Sequence, residues 1–216
     1  MQSEAPTLIP SPQILKALYD STDGPNWFTG WDFNSELSYC DFYGITCDNS
    51  DQITRIDLYI NGLRGTLPSV LGVLSSLTRL DLDFNSIMGT IPSEIGMLSS
   101  LDYLYLASNS IMGTIPSEIG MLSSLEWLDL RWNSITGTIP SEIGMLSSLD
   151  YLYLASNSIT GTIPSEIGML SSLEWLDLDY NSISGTIPTE LCALTTNFDY
   201  DESEISCTCI EGTTCN

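Results

Sequence analysis

The chain has no histidine and only five lysines and arginines against 28 aspartates and glutamates, a formal net charge of -23 at pH 7 over 216 residues. A nucleic-acid partner needs a basic surface to neutralise phosphate and release counterions, so that class is excluded, and anionic lipid with it. Without imidazole there is no Ser-His-Asp or Cys-His triad, no His metal ligand and no side chain that ordinarily titrates near neutral pH. No apolar run approaches the roughly 20 residues that span a bilayer. The opening MQSEAPTLIPSPQ lacks the basic and apolar regions of a secretion signal, so the sequence reads as a soluble piece, as a mature or trimmed chain would. Cysteine is missing from the long middle: Cys40 and Cys47 stand near one end, and Cys192, Cys207, Cys209 and Cys215 near the other. That grouping predicts disulfides at both ends and a secreted or extracellular cell-surface location. Zinc fits less well, because Cys40 and Cys47 are not a CxxC pair and no His completes a site.

What is present is repetition. Asn61, Asn85, Asn109, Asn133, Asn157 and Asn181 are spaced 24 apart without a slip, and residues 98–145 recur at 146–193 with only eight substitutions. Each repeat carries a strand signal, since Leu128, Asp129 and Leu130 alternate apolar with polar. Asn133 is expected to close that strand by satisfying turn backbone, with the asparagines forming a ladder from repeat to repeat. Ile135-Thr136-Gly137-Thr138-Ile139 predicts a second short strand with Ile and Gly inward and both Thr outward. Pro140 stops it, and Ser141-Glu142-Ile143-Gly144 supplies a helical turn ended by glycine. No coil of this kind buries its leucines alone, so coils must stack and both ends need covers. The expected fold is an α/β solenoid with one coil per repeat. A parallel sheet lines its concave face, a short second sheet lies behind, and disulfide-bonded caps close the ends. Its divisions are a flexible segment 1–12, an N-terminal cap 13–53, six repeats over 54–191 and a cysteine-rich C-terminal cap 192–216. In the first cap, Ile14, Leu15, Leu18 and Tyr19 have helical spacing, and Trp27, Phe28, Trp31 and Phe33 are read as cap core.

The run LxxLxxLxLxxNxIxGxIPxxIG resembles the plant-type leucine-rich repeat, and Cys40-Asp-Phe-Tyr-Gly-Ile-Thr-Cys47 is similar to that family's N-terminal cap element, with Phe42-Tyr43 where the pattern has Trp-x. The match spans residues 14 to about 192. It implies the right-handed leucine-rich-repeat coil of receptor-kinase ectodomains, receptor-like proteins and polygalacturonase-inhibiting proteins, whose shared activity is recognition rather than catalysis.

Sequence information beyond the core can reside only in outward positions of the long strand. Ten of the twenty aromatics fall there, together with Arg55, Arg79 and Arg131 and a strip of aspartates. The candidate ligand-binding set is Tyr103, Tyr105, Trp127, Asp129, Arg131, Trp132, Tyr151, Tyr153, Trp175, Asp177, Asp179 and Tyr180. An aromatic platform edged by carboxylates suits an extracellular protein, a basic peptide or a glycan. The competing reading is that the rings only stack on one another to stabilise the sheet. Catalysis is not expected: aspartates on adjacent strands stand about 5 Å apart, near a retaining-glycosidase pair, but an open sheet offers little desolvation. No cofactor is expected; calcium is conceivable at Asp81 with Asp83 and Asp177 with Asp179, without a supporting loop motif. An alternative function, ice binding or cell-wall adhesion, would use the Thr-x-Thr positions of the second strand as a flat grid, although Arg64, Met88 and Met112 interrupt it. The column Glu94, Glu118, Glu142, Glu166 and Glu190 reads as a solvated edge.

Overall fold

The computed structural model describes residues 9–194, 197–200 and 205–206. Its chain winds as a solenoid of six coils. Strands Ile53–Asp57, Arg79–Asp81, Tyr103–Tyr105, Trp127–Asp129, Tyr151–Tyr153 and Trp175–Asp177 pair in parallel, one per coil, in unbroken 24-residue register. The antiparallel strand Ile45–Cys47 extends this sheet at one end and the parallel strand Asn197–Asp199 at the other, giving eight strands. The caps therefore continue the sheet as well as covering it. Leucines from the strands and isoleucines from the return segments form one continuous core.

The asparagine ladder is present and reaches between coils. Asn133 donates from Nδ2 to the carbonyls of Leu106, Leu130 and Arg131, while its Oδ1 accepts from Ile111 N–H. One amide thus closes its own turn and ties down the coil before it. Asn61, at the head of the ladder, instead grips the cap by bonding both N–H and carbonyl of Thr29.

The second sheet has six strands, Arg64–Thr66, Ser86–Gly89, Ser110–Gly113, Ser134–Gly137, Ser158–Gly161 and Ser182–Ile183. Its pairing is offset: Thr136 lies opposite Ser158, and Gly137 opposite Ile159. The chain leaves the strand at Gly137, whose φ of 78° is unfavourable for other residues. Thr138 therefore lies past the strand end, although Thr136 and Thr138 are both exposed as expected.

A 3-10 turn, Ser141–Met145, follows as expected, with equivalents in the other coils at Ser69–Val73, Ser93–Met97, Ser117–Met121 and Ser165–Met169. Gly144 has a role other than the expected helix stop. A Cβ there would sit 2.3 Å from the carbonyl oxygen of Glu166, so the glycine lets successive turns stack closely.

The N-terminal helix runs Ser11–Ser21, starting two residues inside the segment set aside as flexible. It buries Ile14, Leu15 and Leu18. Trp27 and Trp31 join the cap core as expected, but Phe28 is 76% exposed, its ring lying beside Gly62. Cys40 and Cys47 are bonded, with Cα atoms 5.5 Å apart, and Cys192 is also disulfide-bonded. Cys207, Cys209 and Cys215 lie outside the described residues. Among the described residues no helix is long and apolar enough to cross a membrane.

Candidate functional site

The concave strands are only three residues long after the first, so strict alternation between inward and outward lasts for three positions and then fails. Tyr103, Tyr105, Trp127, Tyr151, Tyr153 and Trp175 stand on the open face, half-buried. Five of these rings touch. Trp127 lies 4.4 Å from Tyr151, 5.2 Å from Tyr153 and 5.8 Å from Tyr105 between centroids, and the tyrosines of each strand stack as pairs. The stacking expected as the structural alternative is therefore real in coils three to five. Tyr103 and Tyr151 are fixed further by hydroxyls donating to Glu126 and Glu174, 2.7 Å away on the next coil. The Trp127 indole N–H is buried without an acceptor, an unfavourable arrangement at the centre of the cluster.

The carboxylates depart more from expectation. Asp129, placed outward by the alternation, is only 3% exposed, and Asp81 is buried too. Each is neutralised by an arginine on its own coil. Arg131 forks onto Asp129 through Nε and Nη2 at 3.0 and 2.6 Å, and its guanidinium plane lies 4.3 Å from the Tyr153 ring centre and 5.1 Å from that of Trp132. Arg79 binds Asp81 at 2.6 Å and covers Tyr105 at 4.5 Å. An Arg-Asp pair capped by a tyrosine of the next coil thus occurs twice, at Arg79-Asp81-Tyr105 and Arg131-Asp129-Tyr153. It contributes as a charge-assisted, partly desolvated clasp more than as a freely available binding charge.

Desolvation, which an open sheet was expected not to provide, is present here. Burial pushes the Asp83 carboxyl up to about 7, with the charges of Asp129 and Asp81 adding to the rise. Its oxygen nevertheless accepts from the Ala107 N–H, a positional role within the sheet. Burial also raises Asp177, against the backbone N–H of Asp179 and the charge of Arg131. Among the described residues, no three or more acidic or cysteine side chains are grouped to hold a metal ion, so the calcium positions Asp81 with Asp83 and Asp177 with Asp179 do not converge on one.

The residues one before each ladder asparagine were read as part of the outward strand face. The structure places them past the strand end on the rim, all in the left-handed region: Ile60, Phe84, Ser108, Trp132, Ser156 and Tyr180, with φ between 46° and 58°. The coil imposes this conformation so that the following asparagine can reach back. Serine at Ser108 and Ser156 meets the demand with a small side chain. Trp132 and Tyr180 meet it with large rings that remain 51% and 73% exposed. Phe84 is likewise exposed, edge-on to Tyr59 at 5.4 Å. Sequence alone missed the strained rim, the exposed Phe28 and the tyrosine links to Glu126 and Glu174. The signal available was the unbroken 24-residue column just before the asparagines, in which bulky and small residues mix.

A model of a leucine-rich repeat region matches residues 92–196, and a single leucine-rich-repeat model matches 76–98. No curated protein matches by sequence. Among solved structures, the chain is similar to that of PEPR1-AtPEP1, with 31% identity over 90% of this chain and 28% of that one and a TM-score of 0.82. It is also similar to the Arabidopsis receptor kinase HAESA ectodomain in complex with an IDA peptide hormone, at 31% identity over 87% of this chain and 32% of that one, TM-score 0.77. A third relative is the BIR2 ectodomain from Arabidopsis thaliana, at 30% identity over 80% of this chain and 93% of that one, TM-score 0.71. The chain thus spans less than a third of the first two and nearly all of the third. Identity at that level over nearly a whole relative, joined to a coil that repeats in register, shows that the chain belongs to the plant-type leucine-rich-repeat family.

Proposed function

We propose that this protein is a non-catalytic recognition module of the extracellular space, which binds a protein or peptide along its concave face and the adjoining rim. The observation that carries this reading is the rim. A left-handed backbone position disfavours bulky side chains, and serine at two coils already fulfils the turn. Trp132, which also lies against Arg131, and Tyr180 are placed there nonetheless with half or more of each residue in solvent, a position that burial favours little and ligand contact favours more. The half-open floor of Tyr103, Tyr105, Trp127, Tyr151, Tyr153 and Trp175 continues the same surface inward. The HAESA ectodomain solved with a peptide hormone and the bonded cysteines support the setting. Asp129, Arg131, Asp177 and Asp179 shape this floor, with Asp129 and Arg131 acting as a pair.

The test is a peptide- and glycan-array screen with the intact chain, repeated with Trp132→Ala combined with Tyr180→Ala. Peptide hits should weaken at least about tenfold while Tm stays within roughly a degree. Undiminished peptide binding by the double variant, or hits confined to glycans, would overturn the reading. Trp127→Ala is the contrasting variant. It removes a ring packed among three tyrosines and is expected to cost about 2–3 kcal/mol of stability as well as affinity.

A further inference from the structure

A second surface lies on the side of the solenoid away from the rim. Methionine is usually buried, yet Met97, Met121, Met145 and Met169 are 55%, 59%, 61% and 65% exposed, one at the end of each 3-10 turn. Val73 heads the same column. Three residues earlier in each turn stands Glu94, Glu118, Glu142 or Glu166. In a 3-10 helix residues i and i+3 eclipse, and at about 2 Å rise per residue they are about 6 Å apart. The turns therefore project two parallel rows, thioethers and carboxylates. Gly96, Gly120 and Gly144 hold both rows at close coil spacing, because each lies against the Glu backbone of the next coil where no Cβ fits.

The carboxylate row lacks counter-charge. Each of these glutamates accepts only from the neighbouring serine hydroxyl among the described contacts, and no lysine or arginine pairs with any of them. Like charges stacked coil on coil repel, and a cationic partner relieves that repulsion.

We infer that this methionine-glutamate face is a docking surface for a basic amphipathic helix of a partner protein. The dimensions agree. An α-helix advances about 5.4 Å per turn and the coils about 4.8 Å, so one apolar residue per turn meets one methionine per coil, with a misfit near 2 Å over four turns. Unbranched thioether side chains absorb a misfit of that size. Lysines or arginines flanking the apolar stripe fall over the glutamate row. Recognition here is independent of the concave face.

The probe is a fluorescent synthetic peptide of about 14 residues with leucines along one helical face and lysines elsewhere. Its control is a peptide of the same composition with the leucines scattered. Binding to the intact chain is followed by anisotropy as salt is varied. The amphipathic peptide should bind at least about tenfold more tightly than the control. Met121→Gln with Met145→Gln should abolish that preference, and Glu118→Gln with Glu142→Gln should flatten the salt dependence. Because these side chains are outside the core, Tm should not move in either variant. Equal binding of the two peptides would show only the general attraction of an acidic protein and overturn the inference. So would an unchanged preference in the methionine variant, or its loss in the Trp132→Ala, Tyr180→Ala protein instead.

Discussion

Coils four and six are near copies, and they differ at the place where charge is buried. Coil four has Asp129 followed by Arg131 and Trp132; coil six has Asp177 followed by Asp179 and Tyr180. In the first, the arginine forks onto a carboxylate with almost no solvent contact, and the Tyr153 ring of the next coil lies against the guanidinium. In the second, an aspartate stands where the arginine would be, and Asp177 is raised by its own desolvation, relieved by a backbone N–H and by Arg131 two coils away. The same backbone therefore accommodates a neutralised acid in one coil and a strained one in the other. Sheet geometry places the carboxylate, and the residue two positions on decides whether that placement stabilises the coil.

The largest test of this contrast is Arg131→Ala. It leaves Asp129 buried without its cation and should cost about 3 kcal/mol in denaturant unfolding. A loss below about 1 kcal/mol would mean that solvent already compensates Asp129, and the two coils would not differ in kind. The reciprocal change, Asp179→Arg, copies the coil-four pair into coil six and should stabilise by about 1 kcal/mol, read the same way. The smallest effect belongs to Asp177→Asn. A carboxyl raised in the folded state holds its proton more tightly there than when unfolded. Its penalty is therefore absent at low pH and appears as pH rises through the folded value. Asparagine keeps the oxygen that accepts from Asp179 N–H, so the variant should match the parent at pH 4 and exceed it by about 0.5 kcal/mol at pH 8. A gain that is the same at both pH values would remove titration as its cause.

The coil itself was legible because its determinants are periodic. Leu128 and Leu130 alternate, Asn133 recurs every 24 residues, and Pro140 ends the return strand. The aromatic face was legible for the same reason, as Tyr103, Trp127 and Tyr151 fall in one register column. What was hidden depends on distances between coils. Reading Asp129 as a surface acid was reasonable from alternation, but its exposure is set by an arginine fork and a neighbouring tyrosine that no single repeat contains. The glycine before Met145 looked like a helix stop, whereas its contact is with the following coil. Trp132 was assigned to the sheet because its column is regular, although regularity cannot distinguish a strand from a recurring left-handed turn. Phe28 fell in a run of buried aromatics, and only three-dimensional packing separates it from Trp27 and Trp31.

The glycine contacts have one more implication. Gly120, Gly144 and Gly168 each abut the glutamate residue of the next coil, so every internal junction presents nearly the same fit. A further 48-residue block inserted between Met145 and Leu146 would meet, on both sides, neighbours it already knows how to pack against. Length in this protein is thus a variable separable from fold. Copying error in the gene, rather than redesign of a core, suffices to lengthen or shorten the surface that the molecule offers to its partners.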